Sequence, residues 1–333
     1  MGVYPLRFNP LFQEYLWGGR RLGTDLNKPI GDGPTYAESW EIVDHGDYQS
    51  IVKAGDYAGK TLGQLVDENG TELLGAKVVK EINDTSRPDN LVNRFPLLFK
   101  FLDANKNLSV QVHPDDKMGA TLAKPDLGKT EAWLVMDAQP GAKVYAGLNS
   151  GVTRGDLKKA IESNTAESVL HSFEPKAGDC IFIPAGTVHA LGEGLLIAEI
   201  QQCSNTTFRL YDWGRVDKDG QPRELHIEQG IEATDFSRGP VNAQVPTPID
   251  ESTEGIVACD QFKLHRVTLS AERTFATDDS FKMIAVTQGS LSIVNDPCDS
   301  PLQRGETCLI PASMESFHVQ VHDAAEFMLI SPH

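Results

Sequence analysis

Basic residues are scarce in this chain. Its 30 Lys and Arg face 47 Asp and Glu, a formal net charge of −17 over 333 residues. That deficit argues against nucleic acid or an anionic membrane surface as the main partner, since both need a positive field. Long apolar runs are lacking too, and nothing approaches the ~20 residues of a membrane-spanning helix. The start, Met1-Gly-Val-Tyr-Pro-Leu-Arg-Phe8, has neither the basic opening nor the apolar stretch of a secretory signal. Cysteine is sparse: Cys180, Cys203, Cys259, Cys298 and Cys308 form an odd set without a CxxC pair, which predicts reduced, packed thiols in a cytoplasmic protein. The length suits two domains or one large β-domain. An anionic small substrate stays open, because local cations can reverse the potential inside a pocket, and Lys100, Lys129 and Arg209 lie near the motifs described below.

Many short apolar or alternating runs bounded by Gly, Pro, Asn and Asp predict a mainly β chain. The clearest span 95–102, 108–113, 131–136, 180–183, 195–203, 208–211, 262–269, 281–287, 291–294, 306–310 and 327–330. Helices are a minority, expected over 61–74, where Leu62, Leu65, Val66 and Leu73 recur at helical spacing, over 115–122, over 153–163 with Thr153 as N-cap, and near 226–233. A weak internal repeat adds to this. Gly178-Asp-Cys-Ile-Phe-Ile-Pro-Ala185 resembles Gly305-Glu-Thr-Cys-Leu-Ile-Pro-Ala312, implying two related β-units joined through 243–254. Without a gap, His189 falls opposite Ser316, so a metal site built on His189 belongs to the first unit alone.

Alternation along Ser109-Val-Gln-Val-His113 puts Ser109, Gln111 and His113 on one face and Val110 and Val112 on the other. Glu131 heads the otherwise apolar run Glu131-Ala-Trp-Leu-Val-Met136, where a lone carboxylate is expensive to desolvate unless a cation compensates it. His189 closes Ile183-Pro-Ala-Gly-Thr-Val-His189. Two imidazoles, a carboxylate and an amide oxygen make a four-coordinate N/O set of the kind zinc accepts. A single histidine is more often structural, and the Gln111 amide serves equally as a hydrogen-bond partner of a substrate. Lys100, in Leu97-Leu-Phe-Lys-Phe-Leu102, reads first as a stem-buried lysine whose head reaches solvent, and second as a cation facing substrate. Arg209 alternates with Phe208 and Leu210, as either a solvated edge or a site residue, and Glu199 and Gln201 share one face of their strand.

Five motifs in order, Tyr15-Leu-Trp-Gly18, Ser109 to Asp115, Lys129-Thr-Glu-Ala-Trp133, Ile183 to Ala190 and Glu199 to Asp212, resemble type I mannose-6-phosphate isomerases of the short bacterial kind across essentially the whole chain. The resemblance implies two cupin-like β-barrels of jelly-roll type with a small helical insertion: a catalytic unit over 1–242 and a degenerate unit over 243–333. It also implies one zinc ion and aldose–ketose interconversion of mannose 6-phosphate and fructose 6-phosphate. Carried over by position, Gln111, His113, Glu131 and His189 match the zinc ligands and Arg209 an active-site arginine. Many relatives carry an acid where this chain has Asn205, which moves the expected general base to Glu199, Lys129 or a metal-bound water. An enediolate intermediate needs its charge stabilised, by a Lewis-acid metal and by Arg209. Lys100, Ser109 or Arg209 would hold the phosphate, and Trp17 would line the sugar pocket. The expected partner is a phosphosugar, without nucleic acid or membrane, and the chain acts as a monomer or dimer. Two rival readings share the scaffold: a ferrous oxygenase, whose facial triad is also two His and a carboxylate, and a non-catalytic sugar-phosphate sensor.

Overall fold

Strand Leu97–Ala104 is buried along its full length, and its alternation sends Leu97, Phe99 and Phe101 to one face and Leu98, Lys100 and Leu102 to the other. A strand apolar on both faces has to be covered on both, and the computed structural model, which describes residues 2–216 and 220–333, shows how. This strand lies fourth in a six-stranded antiparallel sheet in the order Cys180–Ile183, Glu131–Ala138, Leu195–Gln202, Leu97–Ala104, Glu38–Ile42, Leu11–Gln13. A five-stranded sheet, Leu170–Phe173, Val144–Leu148, His189–Leu191, Val110–Val112, Phe208–Tyr211, covers one face. Leu102, Trp133, Val135 and Ile197 of the first sheet share a core there with Val144, Ala146 and Leu191 of the second.

The second half repeats the plan. Its six-stranded sheet runs Thr247–Pro248, Thr253–Ala258, Phe262–Leu269, Ala325–Pro332, Lys282–Gln288, Thr307–Ile310, and its four-stranded sheet Arg273–Ala276, Ser316–Val321, Ser290–Ile293, Leu302–Gln303. The two six-stranded sheets match strand for strand, the four-stranded sheet matches the five-stranded one without Phe208–Tyr211, and the two copies of the repeated octapeptide supply equivalent edge strands, Cys180–Ile183 and Thr307–Ile310. The turns before them need the left-handed backbone of Gly178 and Gly305, at φ of 91° and 88°. The outer faces of the two six-stranded sheets meet in the largest core, where Phe99, Leu134 and Ile200 pack with Leu264, Met283 and Met328, and Phe95 lies 4.8 Å from Phe281, centroid to centroid.

The segment 243–254 is less of a bare linker than its Pro- and Thr-rich composition suggests. Ala243 bridges Ile181, and Thr247–Pro248 pairs with the strand that begins at Thr253. The expected helices form at Leu62–Leu74, Asp116–Gly119, Arg154–Glu162 and Ile227–Ala233; Thr61 and Thr153 build capping boxes on the first and third, and Asp115 caps the second. A further helix, Ala76–Ile82, follows a kink at Gly75. Arg154–Glu162 and Ile227–Ala233 cover the outer face of the five-stranded sheet, packing Leu157, Ile161 and Ile231 on Val110 and Val112. That burial turns Gln111 inward. All five cysteines are free thiols, and no helix among the described residues is long and apolar enough to cross a membrane.

Candidate metal centre and its pocket

Between the five- and six-stranded sheets of the first half, the apolar core gives way at one end to charge. Register explains the placement. Gln111 pairs with His189 on one side and Arg209 on the other, so all three share a row across the five-stranded sheet. On the facing sheet Glu199 sits between Lys100 and Trp133, and Glu131 pairs with Gln201. His113 follows directly after its strand, and its carbonyl accepts the amide of Gly186, at 2.9 Å, in the turn leading to His189. Gly186 has φ of 86°, a left-handed conformation that makes this sharp entry into the His189 strand possible.

His113, Glu131 and His189 are buried, and their ligating atoms lie within 4.8 Å of one another. Glu131 Oε1 is 3.3 Å from His189 Nε2, and Glu131 Oε2 is 3.7 Å from His113 Nε2. Each imidazole spends its other nitrogen on a backbone carbonyl: His113 Nδ1 donates to Thr206 O at 2.9 Å and His189 Nδ1 to Thr187 O at 2.8 Å. That arrangement fixes the tautomer and leaves both Nε2 lone pairs facing the carboxylate, the outer-shell pattern of metal-ligating histidines. Glu131 Oε1 is buried without a hydrogen-bond partner. A divalent cation satisfies such an atom, and the neutral-imidazole, carboxylate donor set fits one. Burial, helped by the Lys129 charge, holds His189 down to about 3 and His113 well below its ordinary value, so both imidazoles are neutral, as ligands must be. Gln111 Nε2 is 3.2 Å from His189 Nε2, and its Oε1 is 3.4 Å from Ser109 Oγ. Turning the amide over exchanges the two and offers the oxygen to the same centre.

Lys129 Nζ reaches the same donors. It lies 3.1 Å from His113 Nε2, donates to Glu131 Oε2, and is 3.4 Å from Glu199 Oε1. Burial raises Glu131 and the nearby Glu199 charge adds to this, whereas burial of Glu199 is outweighed by Lys100 and Lys129, which hold it low. Of the two carboxyls, Glu199 is therefore the more acidic. Lys100 departs from the solvent-reaching reading. Its head is buried, 3.2 Å from Glu38 Oε2 and 3.5 Å from Glu199 Oε1, because the strand directs it into the intersheet space beside these carboxylates. Burial opposes its charge, but Glu199, Glu38 and Glu131 together raise its pKa.

A pocket of about 290 Å³ opens from these residues. Trp17, Lys100, Ser109, Gln111, Lys129, Glu131, His189, Glu199, Asn205 and Arg209 all line it; His113 reaches it through Lys129. Gln201 does not, since its amide donates to the carbonyls of Gln202 and Ser204. Among the wall residues not predicted as site residues are Tyr15, Glu38 and Arg223. Tyr15 stands two positions from Trp17 in a motif already singled out, and its ring is 5.7 Å from that indole. Glu38 alternates with Trp40 on a strand too short to stand out, and Arg223 sits in a loop without periodicity.

The second half holds no counterpart. Among the described residues His113, Glu131 and His189 form the single group of three or more metal-capable side chains. Register shows why. Glu131 pairs with Ile183, and the repeat's equivalent of Ile183, Ile310, pairs with Lys282; His189 corresponds to Ser316, which pairs with Ala276 where His189 pairs with Gln111. Lysine, serine and alanine thus stand where the first half has glutamate, histidine and glutamine.

A family model described as phosphomannose isomerase type I, catalytic domain, matches residues 6–132, and one described as mannose-6-phosphate isomerase, cupin domain, matches 252–325. The probable mannose-6-phosphate isomerase GmuF of Bacillus subtilis is 35% identical over 335 residues, covering 99% of this chain and 100% of that protein. The mannose-6-phosphate isomerase of Streptococcus mutans is 34% identical over 318 residues, 94% of each chain. The crystal structure of the mannose 6-phosphate isomerase from Bacillus subtilis matches with a TM-score of 0.84 at 30% identity, over 98% of this chain and 99% of that one.

Proposed function

This chain belongs to the type I phosphomannose isomerase family, and on that premise we propose that its pocket interconverts mannose 6-phosphate and fructose 6-phosphate through an enediolate, with one zinc ion held by His113, Glu131, His189 and Gln111. The observation that carries the reading is the convergence of two neutral imidazoles on one buried carboxylate, whose Oε1 has no hydrogen-bond partner, each imidazole anchored from behind by a carbonyl. When bound, zinc supplies Lewis acidity, polarising the substrate's oxygens so that a proton on the adjacent carbon becomes removable.

The chain's own groups do the rest. Glu199, kept ionised between Lys100 and Lys129, is assigned as the base that takes the proton from one carbon and returns it to the next. Lys129 is assigned as the donor to the developing oxyanion, and Arg209 adds positive potential on the opposite sheet. Ser109 and Lys100 contribute hydrogen bonds to the sugar, and Trp17 walls the pocket. Asn205 replaces an acid at a position where no proton-transfer group is then required, since Glu199 and Lys129 stand at the inner end.

We read the two sheet pairs as a catalytic cupin-like unit over 1–242 and a ligand-free one over 243–333, and the five free thiols as fitting a reducing cytoplasm. The test is a coupled assay that offers mannose 6-phosphate and reads fructose 6-phosphate. Chelator-treated protein is expected to lose activity and zinc to restore it. Full turnover by protein freed of metal would refute the metal-dependent reading, and absence of turnover in zinc-loaded protein would favour the sensor.

A further inference from the structure

Three guanidinium groups, those of Arg209, Arg215 and Arg223, gather around one buried carboxylate, Asp212, in a protein whose overall charge is −17. Arg215 is consumed by structure: it donates to Asp212 O and Asn107 O as well as to the Asp212 carboxylate, and it does not line the pocket. Arg209 and Arg223 do line it. Resting on the reading above, and naming the part of the pocket that takes the substrate's phosphate, we propose that Arg223 is a phosphate anchor acting with Arg209, and that Asp212 is the positioning residue that aims it.

Arg223 meets Asp212 fork to fork, Nε to Oδ2 at 2.8 Å and Nη2 to Oδ1 at 2.5 Å, which sets the plane of its guanidinium. Its side chain remains about a third exposed, at 31%, so the pair is a clamp at the pocket's open end and not part of a sealed core. Arg209 donates from Nη1 to Glu224 O at 2.8 Å, but its Nε is buried with no hydrogen-bond partner. Burial and the neighbouring Arg223 charge both disfavour its protonated form, so the two arginines sit close enough to repel. Asp212 is already shared with Arg215, and the carboxylate of Glu224 is 84% exposed. Among the described residues, the open end of the pocket thus carries positive charge in excess of its anions, a state that a bound anion would relieve.

The buried end differs. Its lysines are already engaged, Lys100 by Glu38 and Glu199 and Lys129 by Glu131 and Glu199, so neither is free to take a phosphate. This difference between engaged and available cations orients the ligand. A phosphate dianion takes bidentate bonds from the arginine end, and the sugar carbons then extend toward His189, Glu131 and Glu199.

The experiment compares wild type with Arg223→Ala and Arg223→Lys in zinc-loaded protein, measuring kcat and KM for mannose 6-phosphate and competitive inhibition by inorganic phosphate. Losing a charge-assisted hydrogen bond corresponds to roughly a 10- to 100-fold weakening. Arg223→Ala is expected to raise KM and the phosphate inhibition constant together by about that factor, with a smaller fall in kcat and unchanged zinc content. Arg223→Lys keeps the charge without the fork and should fall between. It also carries the test if the alanine variant does not fold. A KM and a phosphate constant within twofold of wild type in the folded variant would overturn the proposal, as would a loss confined to kcat, the mark of a merely structural clamp. If wild type fails to turn over mannose 6-phosphate, the proposed function falls. Direct calorimetric binding of inorganic phosphate to wild type and Arg223→Ala then still decides the anchor, because loss of binding supports it and equal binding refutes it.

Discussion

At the scale of single residues, the site is a balance of buried charges in which few members can be removed alone. Lys100 shows this best. Its neighbours on the strand are apolar, and a reading from composition sends its head to solvent; cross-strand register instead places it between Glu38 and Glu199, with Trp40 Nε1 donating to the same Glu38 carboxylate at 2.6 Å. Replacing Lys100→Met keeps the stem's volume and deletes the charge, leaving two buried carboxylates short of a partner. Removal of one member of a buried pair typically costs about 3–5 kcal/mol. Urea unfolding of the metal-depleted variant is expected to show a loss of this size, and a change below about 1 kcal/mol would mean that Lys100 is not what compensates Glu38 and Glu199. Gln111 and His113 were legible as a pair because a β-strand has period two. Glu38 and Arg223 were not, because what brings them to the pocket is tertiary register and a loop, neither of which leaves a local pattern.

At the scale of elements, the loop after strand Leu195–Gln202 aligns His113 from behind. Asp126 holds that loop: its carboxylate accepts from Ser204 Oγ at 3.1 Å, Asn205 N at 3.0 Å and Thr206 Oγ1 at 3.1 Å, and Thr206 O in turn accepts the His113 Nδ1 proton. Asp126→Asn is expected to weaken metal affinity by about 10–100-fold, the usual size of outer-shell losses, with the sheets intact by circular dichroism. Unchanged affinity would detach the loop from the site. The same residue sets a pH dependence. Burial raises its pKa, but hydrogen bonds from His45 and from the Asn205 amide, with the Arg94 charge, prevail and hold it below the ordinary carboxylate value. A depressed folded-state pKa means stability that is present above the unfolded value of ~3.9 and lost as pH falls through the folded one. The wild type should therefore lose stability more steeply than Asp126→Asn below about pH 4. This network was invisible in the sequence, since Asp126 lies about 80 positions from the loop it holds.

At the scale of the molecule, four sheets stack as two related pairs, and the duplication hinted at by one octapeptide extends to matching strand order in both halves. The repeat was readable because its turn glycines and apolar edge strand are local features. Shorter strands such as Glu38–Ile42 and Arg273–Ala276 were missed, the first because it reads as a charged run, the second because it is a four-residue edge. Duplication also accounts for the single metal-capable group: the second copy keeps the scaffold while lysine, serine and alanine occupy the equivalent positions. Its outer sheet face buries that of the first half.

On the mechanism proposed above, metal binding and transition-state stabilisation reside on separable side chains of one pocket. The most direct measurement determines zinc content and isomerase turnover on the same preparations of wild type, His113→Ala and Arg209→Ala. His113→Ala is expected to lose both, and Arg209→Ala to keep its zinc while turnover falls by at least about 100-fold, the range seen when one oxyanion-stabilising donor is removed. Equal loss of metal in the two variants, or full zinc occupancy in His113→Ala, would contradict it.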